Sequence, residues 1–113
     1  MPGFDRRDQM DKSNFTITEL SAVPDVKLKA AGYIIYDTAG QFEKVLNDSF
    51  QNEPESLTVD MENVVVFTSV GIRVILKALK TAKKKGIEFN IENPSDTVRS
   101  VLKLSNLDKM LVK

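Results

Sequence analysis

Cysteine and histidine are both missing from the 113 residues. Without thiols there is no disulfide and no thiolate nucleophile; without imidazole there is no histidine base near neutral pH, and Cys/His zinc sites are excluded. A serine-type hydrolytic triad loses its base for the same reason. The lack of cysteine suits a reducing compartment. Glycine is scarce, with five residues. None falls in a Gly-x-x-x-x-Gly-Lys or Gly-x-Gly-x-x-Gly pattern, so neither a P-loop nor a dinucleotide fingerprint is present. An excess of one charge is also lacking: 16 basic residues face 16 acidic ones. No global field therefore draws the chain to nucleic acid. No apolar run reaches the roughly 18 residues of a membrane span, and no signal-peptide pattern opens the chain. The expectation is a soluble, cytoplasmic protein that needs no cofactor and no metal.

What is present fits one domain, long enough to bury about two-thirds of its unfolded surface. Residues 1–13 are polar and rich in Asp and Arg, which predicts a flexible tail. The domain then runs over 14–113. Phe15-Thr-Ile-Thr-Glu-Leu20 alternates apolar and polar residues, the mark of a half-buried strand. A turn with Pro24 follows, then Val26-Lys-Leu-Lys-Ala30 alternates again as a hairpin partner that Gly32 ends. Tyr33 to Asp37 leads into a helix capped by Asp37 or Thr38, with Phe42, Val45, Leu46 and Phe50 at helical spacing. Leu57-Thr-Val-Asp-Met61 is the next strand. Val64-Val-Val-Phe67 is too continuous for a half-exposed strand and reads as a buried connection.

Thr68-Ser69-Val70-Gly71 then opens a second helix. Ile72, Ile75, Leu76 and Leu79 are expected on its inner face, with Arg73, Lys77, Lys80 and Lys84 outside. Lys83 to Lys85 match the negative end of the helix dipole, and Gly86 suits the residue that stops the helix. Ile87 to Ile91 is a strand. Asn93-Pro-Ser-Asp96 starts a third helix, with Pro94 near its first position and Ser95 as cap; Val98, Val101, Leu102 and Ser105 trace its inner face. Leu107 to Lys113 is a short terminal piece with the makings of a last strand. The order predicts an α/β fold with a mixed sheet of four to five strands and helices packed on it.

Thr68 and Ser69 are the one concrete site. Both suit a helix N-cap, which stabilises by about 1 kcal/mol. The same place suits an anion, because the first N–H groups of a helix are free and the dipole is positive there. A phosphate acceptor and a cap are compatible readings. Asp60 and Glu62 are candidates for a carboxylate pair, but they are read at a strand end, where solvation is the simpler account. The lysines from Lys77 to Lys85 read as a solvated helix face; a single-strand nucleic-acid surface would interleave aromatic residues, and none are there.

The stretch from Leu57 through Val64-Val-Val-Phe-Thr-Ser-Val-Gly-Ile-Arg73 to Leu76 resembles the core signature of STAS domains. In the anti-sigma factor antagonists of that family a hydrophobic strand runs into Asp-Ser-Ser/Thr-Gly-Leu and then a helix. Asn93-Pro94-Ser95, Val98-Arg-Ser-Val-Leu102 and Leu107-Asp108-Lys109 resemble a second family segment, and Lys84-Lys85-Gly86 matches its helix end. The resemblance covers Leu57 to Met110 and extends back to Phe15. It implies that Ser69 stands where the family's serine is phosphorylated by the partner anti-sigma factor, a serine-protein kinase. Thr68 then replaces the motif Asp as the capping residue, and Val70 replaces the second hydroxyl. Gly71 and Ile72 keep the pattern.

The implied role is not enzymatic. Such a protein binds an anti-sigma factor kinase, frees a sigma factor and lets go when Ser69 carries phosphate, the partner-switching mode of transcription regulation in bacteria. Thr68, Ser69, Val70, Gly71, Ile72 and Arg73 would form the partner-binding surface. The resemblance implies no direct contact with nucleic acid and leaves room for a weak homodimer. An alternative under the same resemblance is a non-phosphorylated STAS module of a stressosome or a membrane-transporter complex. A third, from another class, is a small-ligand protein that uses the turn at Thr68–Gly71 as an anion site.

Overall fold

A computed structural model of the chain describes residues 14–112. The expected tail over 1–13 lies outside the described residues. Four strands form one sheet in the order β1-β2-β3-β4. They are β1 (Phe15–Ser21), β2 (Asp25–Ile34), β3 (Ser56–Phe67) and β4 (Glu88–Glu92). The helices are α1 (Tyr36–Gln51), α2 (Ser69–Lys85), α3 (Asp96–Leu104) and α4 (Asp108–Leu111). β1 and β2 make the expected antiparallel hairpin, while β2-α1-β3 and β3-α2-β4 are parallel crossovers. The sheet is therefore mixed, with four strands.

Alternation places Val26, Leu28 and Ala30 of β2 beside Leu57, Val59 and Met61 of β3, and Phe89 and Ile91 of β4 continue this apolar face. α1 sets Phe42, Leu46 and Phe50 into the same core. Two edge-to-face aromatic pairs join the layers, Phe15 to Phe42 and Phe50 to Phe89, each with ring centroids 5.9 Å apart. Such pairs add about 0.5–1.5 kcal/mol to the burial of the rings. Lys27 of β2 reaches across β3 to form an ion pair with Glu92 of β4. The hydrogen bond to that carboxylate raises the Lys27 pKa above 10.5, outweighing the opposing effect of desolvation.

Several local expectations need correction. Gly32 does not end β2: the strand passes through it at φ +99° to Ile34, with register shifts on either side. A left-handed backbone on which an added Cβ would collide with the Asn14 carbonyl favours glycine. Val64 to Phe67 is no buried connection but the second half of a single twelve-residue β3, with Val65 on its exposed side. Asp60 accordingly sits inside a strand rather than at its end. It is 7 % exposed, accepts the Glu62 N–H (2.9 Å) and the Asn93 side-chain amide (3.2 Å), and so staples β3 to the turn before α3.

On α2, Ile75 is buried and Ile72 and Leu79 pack against the core as expected, but Leu76 is exposed, and Gly71, Val74, Ala78 and Ala82 complete the buried face. Ser95 does cap α3, its hydroxyl accepting the Val98 N–H (3.3 Å), and Pro94 precedes that cap instead of following it. The terminal piece is the short helix α4, and only Val112 makes a strand-like bridge, to Ile91. No helix among the described residues is long and apolar enough to cross a membrane.

Candidate functional site

Parallel neighbours β2 and β3 both end where a helix begins. At the end of β3, Thr68 has extended backbone angles and stands at the N-cap of α2. Its carbonyl accepts the Gly71 N–H (2.9 Å) and the Ile72 N–H (3.2 Å), which closes the first helical turn. Its hydroxyl does not cap. Oγ1 donates instead to the Ile34 carbonyl (3.1 Å), and the Thr68 N–H reaches the same oxygen (3.2 Å). The expectation of Thr68 as a side-chain cap is thereby corrected: the residue ties the β3 exit to the β2 exit and offers no free hydroxyl.

Ser69 is the first residue of α2 and is exposed. Among the described residues no acceptor takes the Ser69 or Val70 N–H. Free amides of this kind carry the positive end of the helix dipole. Ser69 thus combines an accessible hydroxyl with a local field that favours a negative group. Gly71 is buried, and a Cβ there would lie 2.6 and 2.8 Å from ring carbons of Phe67 and 3.0 Å from Ile34. Its role is close packing of α2 on the strand ends, which fixes where Ser69 points out. Ile72 is half-buried against the core and Arg73 is exposed. Of the six residues expected at a partner surface, Ser69 and Arg73 are exposed, Thr68, Val70 and Ile72 are half-buried, and Gly71 lies beneath.

Beside this turn a groove of about 720 Å³ runs between α1 and α2. Val70, Val74, Ala39 and Gly40 are in its lining. Asp37 and Glu43 stand on the α1 side and Arg73 and Lys77 on the α2 side. Lys77 Nζ meets Glu43 Oε2 at 2.8 Å, an ion pair that bridges the two helices. Tyr36, also in the lining, is 84 % exposed, unusual for so large a ring. The α1 wall was not foreseen. Asp37 reads as a helix cap in the sequence, yet Ile35 holds that position, and Thr38 acts three residues later by accepting the Ile35 N–H (3.0 Å). Glu43 and Lys77 lie 34 residues apart, and nothing local announces their meeting.

The match to known families settles the fold's kinship: the STAS domain matches residues 14–113. The chain belongs to the STAS domain family. Among solved structures, an anti-sigma factor antagonist from Mycobacterium paratuberculosis superposes with a TM-score of 0.75 at 22 % identity, over 86 % of this chain and 85 % of that one. The anti-sigma factor antagonist SpoIIAA in its unphosphorylated form gives 0.73 at 20 % identity, over 88 % and 85 %. The Bacillus cell fate determinant SpoIIAA in its phosphorylated form gives 0.68 at 18 % identity, over 88 % of each chain. These likenesses establish the shared STAS fold.

Proposed function

We propose that this STAS domain is an anti-sigma factor antagonist. It docks an anti-sigma factor of the serine-protein kinase kind, frees the sigma factor held there, and is released when Ser69 is phosphorylated. The observation that carries the reading is the exposed Ser69 hydroxyl at the first position of α2, next to the groove between α1 and α2. SpoIIAA, which has this fold, is known in an unphosphorylated and a phosphorylated form. A phosphate on Ser69 adds nearly two negative charges beside the groove. The docking face is then Val70, Arg73 and Lys77 with Tyr36 and Asp37 opposite. The role involves no catalytic step by this chain.

The test is phosphate transfer from ATP by the cognate kinase. Incorporation into the protein and its loss in Ser69→Ala are expected; unchanged incorporation in Ser69→Ala sinks the assignment. Ser69→Asp is expected to weaken kinase binding in a titration while leaving the fold intact.

One observation favours the non-phosphorylated reading as runner-up. Thr68 replaces the family's Asp and turns its hydroxyl inward to Ile34, so the carboxylate that the family carries directly before its serine is absent. A pulldown that recovers other STAS proteins or transporter subunits, and no kinase, would decide for a stressosome or transporter module.

A further inference from the structure

The charges of α2 are all of one sign. The helix carries Arg73 and five lysines, and neither Asp nor Glu. Its cations therefore lack a carboxylate three or four residues away, the usual partner on a helix. Two of the six line the groove beside Ser69, Arg73 and Lys77. They are not equivalent. Lys77 is held by Glu43 across the groove at 2.8 Å. The exposed Arg73 guanidinium makes no hydrogen bond and no ion pair among the described residues. Its planar fork of N–H donors, built for carboxylate or phosphate, is unused. Arg73 also stands four residues after Ser69, so both side chains share one side of the helix, with Cβ atoms about 5–6 Å apart. An anion followed four residues later by a cation is the favourable order on a helix. Lys77 is a further turn away, about 12 Å along the axis from Ser69, and is already engaged.

We infer that Arg73 is a cation shared between two states. In the unphosphorylated chain it binds a carboxylate on the docked partner; once Ser69 carries phosphate, it pairs with that phosphate instead. The inference rests on the proposed function and adds to it the way in which the phosphate acts. In the transfer the Ser69 Oγ bonds to the γ-phosphorus of ATP, the bond to the bridging oxygen breaks, ADP leaves and the hydroxyl proton is released. The new group brings three acceptor oxygens and nearly two negative charges, and it matches the guanidinium in a two-pronged pair. Phosphate then acts twice on the docked complex. It sets a negative charge against the partner's carboxylate, and it withdraws the cation that held that carboxylate. Lys77 cannot replace Arg73 without giving up Glu43, the strut between the two helices.

The first measurement uses the full chain with phosphoserine placed at Ser69 during translation, so it needs no kinase. Phosphorus NMR reads the second ionisation of that phosphate, near pH 6 when unperturbed. A paired cation favours the dianion and lowers this value. Asp37 and Glu43 face the groove from α1 and Lys77 from α2, and all three are the same in every variant. Arg73→Gln should raise the value by about 0.3 of a pH unit or more, while Lys80→Gln, farther along α2, should leave it in place. Arg73 and Lys80 are both exposed, and circular dichroism checks that each variant folds. The second measurement is titration with the cognate kinase. Without phosphate, Arg73→Gln should weaken binding roughly fivefold or more. Phosphoserine should then cost the variant less affinity than it costs the wild type, because the two changes share one contact. A phosphate titration unmoved by Arg73→Gln, or a phosphate penalty equal in both backgrounds, overturns the inference. A kinase that fails to transfer phosphate to Ser69 overturns the proposed function, whereas the phosphorus titration decides the pairing of Arg73 separately.

Discussion

The two strand-to-helix junctions at the exits of β2 and β3 are built from the same materials and end in opposite conditions. At the first, Thr38 is 2 % exposed, accepts the Ile35 N–H and donates to the Tyr33 carbonyl (2.6 Å). Its hydroxyl is spent on both sides. At the second, Thr68 spends its hydroxyl on Ile34, and the next residue, Ser69, is left outside with its hydroxyl free. One junction is sealed and the other is half sealed. A hydroxyl beside a helix start thus means little by itself. Whether a strand carbonyl has already claimed it decides between a fastener and a site.

That contrast can be broken most severely at Gly71, because the second junction depends on close packing as well as hydrogen bonds. Gly71→Val drives methyl groups into Phe67 and Ile34 and is expected to cost towards the upper end of about 1–3 kcal/mol. Urea denaturation measures it, and partner binding should fall as α2 shifts. Next comes Thr38→Val, which removes two part-buried hydrogen bonds at once, from the Ile35 N–H and to the Tyr33 carbonyl, at roughly 2 kcal/mol. Thr68→Val loses one half-buried hydrogen bond while the backbone bond to Ile34 remains, an expected loss of about 1 kcal/mol. An equal loss at both threonines would abolish the distinction drawn between the junctions. Ser69→Ala should change stability by less than about 0.5 kcal/mol; thermal and urea midpoints close to those of the wild type, together with lost phosphate incorporation, would sharpen the contrast furthest.

The element order was legible from periodicity, since the hairpin alternation of Phe15–Leu20 and Val26–Ala30 and the spacing of Phe42, Leu46 and Phe50 are all local signals. The misreadings share a cause in tertiary structure. Val64 to Val66 looks uniformly apolar in the sequence, but β3 turns Val65 outward while Val64 and Phe67 go to the core. Bulges against β2 shift the alternation, and their positions depend on the neighbour. In α2 the larger residue Leu76 was expected inside, yet close packing against the strands selects Gly71, Ala78 and Ala82. Of the site, Ser69 could be read from the family's motif. Its rank above Thr68 could not be read from physics, because the acceptor that occupies Thr68 lies 34 residues earlier. The α1 wall of the groove was hidden for the same reason.

β3 is paired unevenly along its length. Ser56 to Asp60 are flanked by β2 on one side and β4 on the other, whereas Asn63 to Phe67 have a strand neighbour on the β2 side alone. The two halves should therefore open to solvent on different clocks. Amide hydrogens of Leu57 to Val59 exchange only when the whole sheet comes apart, and those near Phe67 can exchange through a smaller, local opening. The half that can loosen alone is the half that feeds directly into Ser69, so the serine sits at the end of the strand with the shortest memory of its place in the sheet.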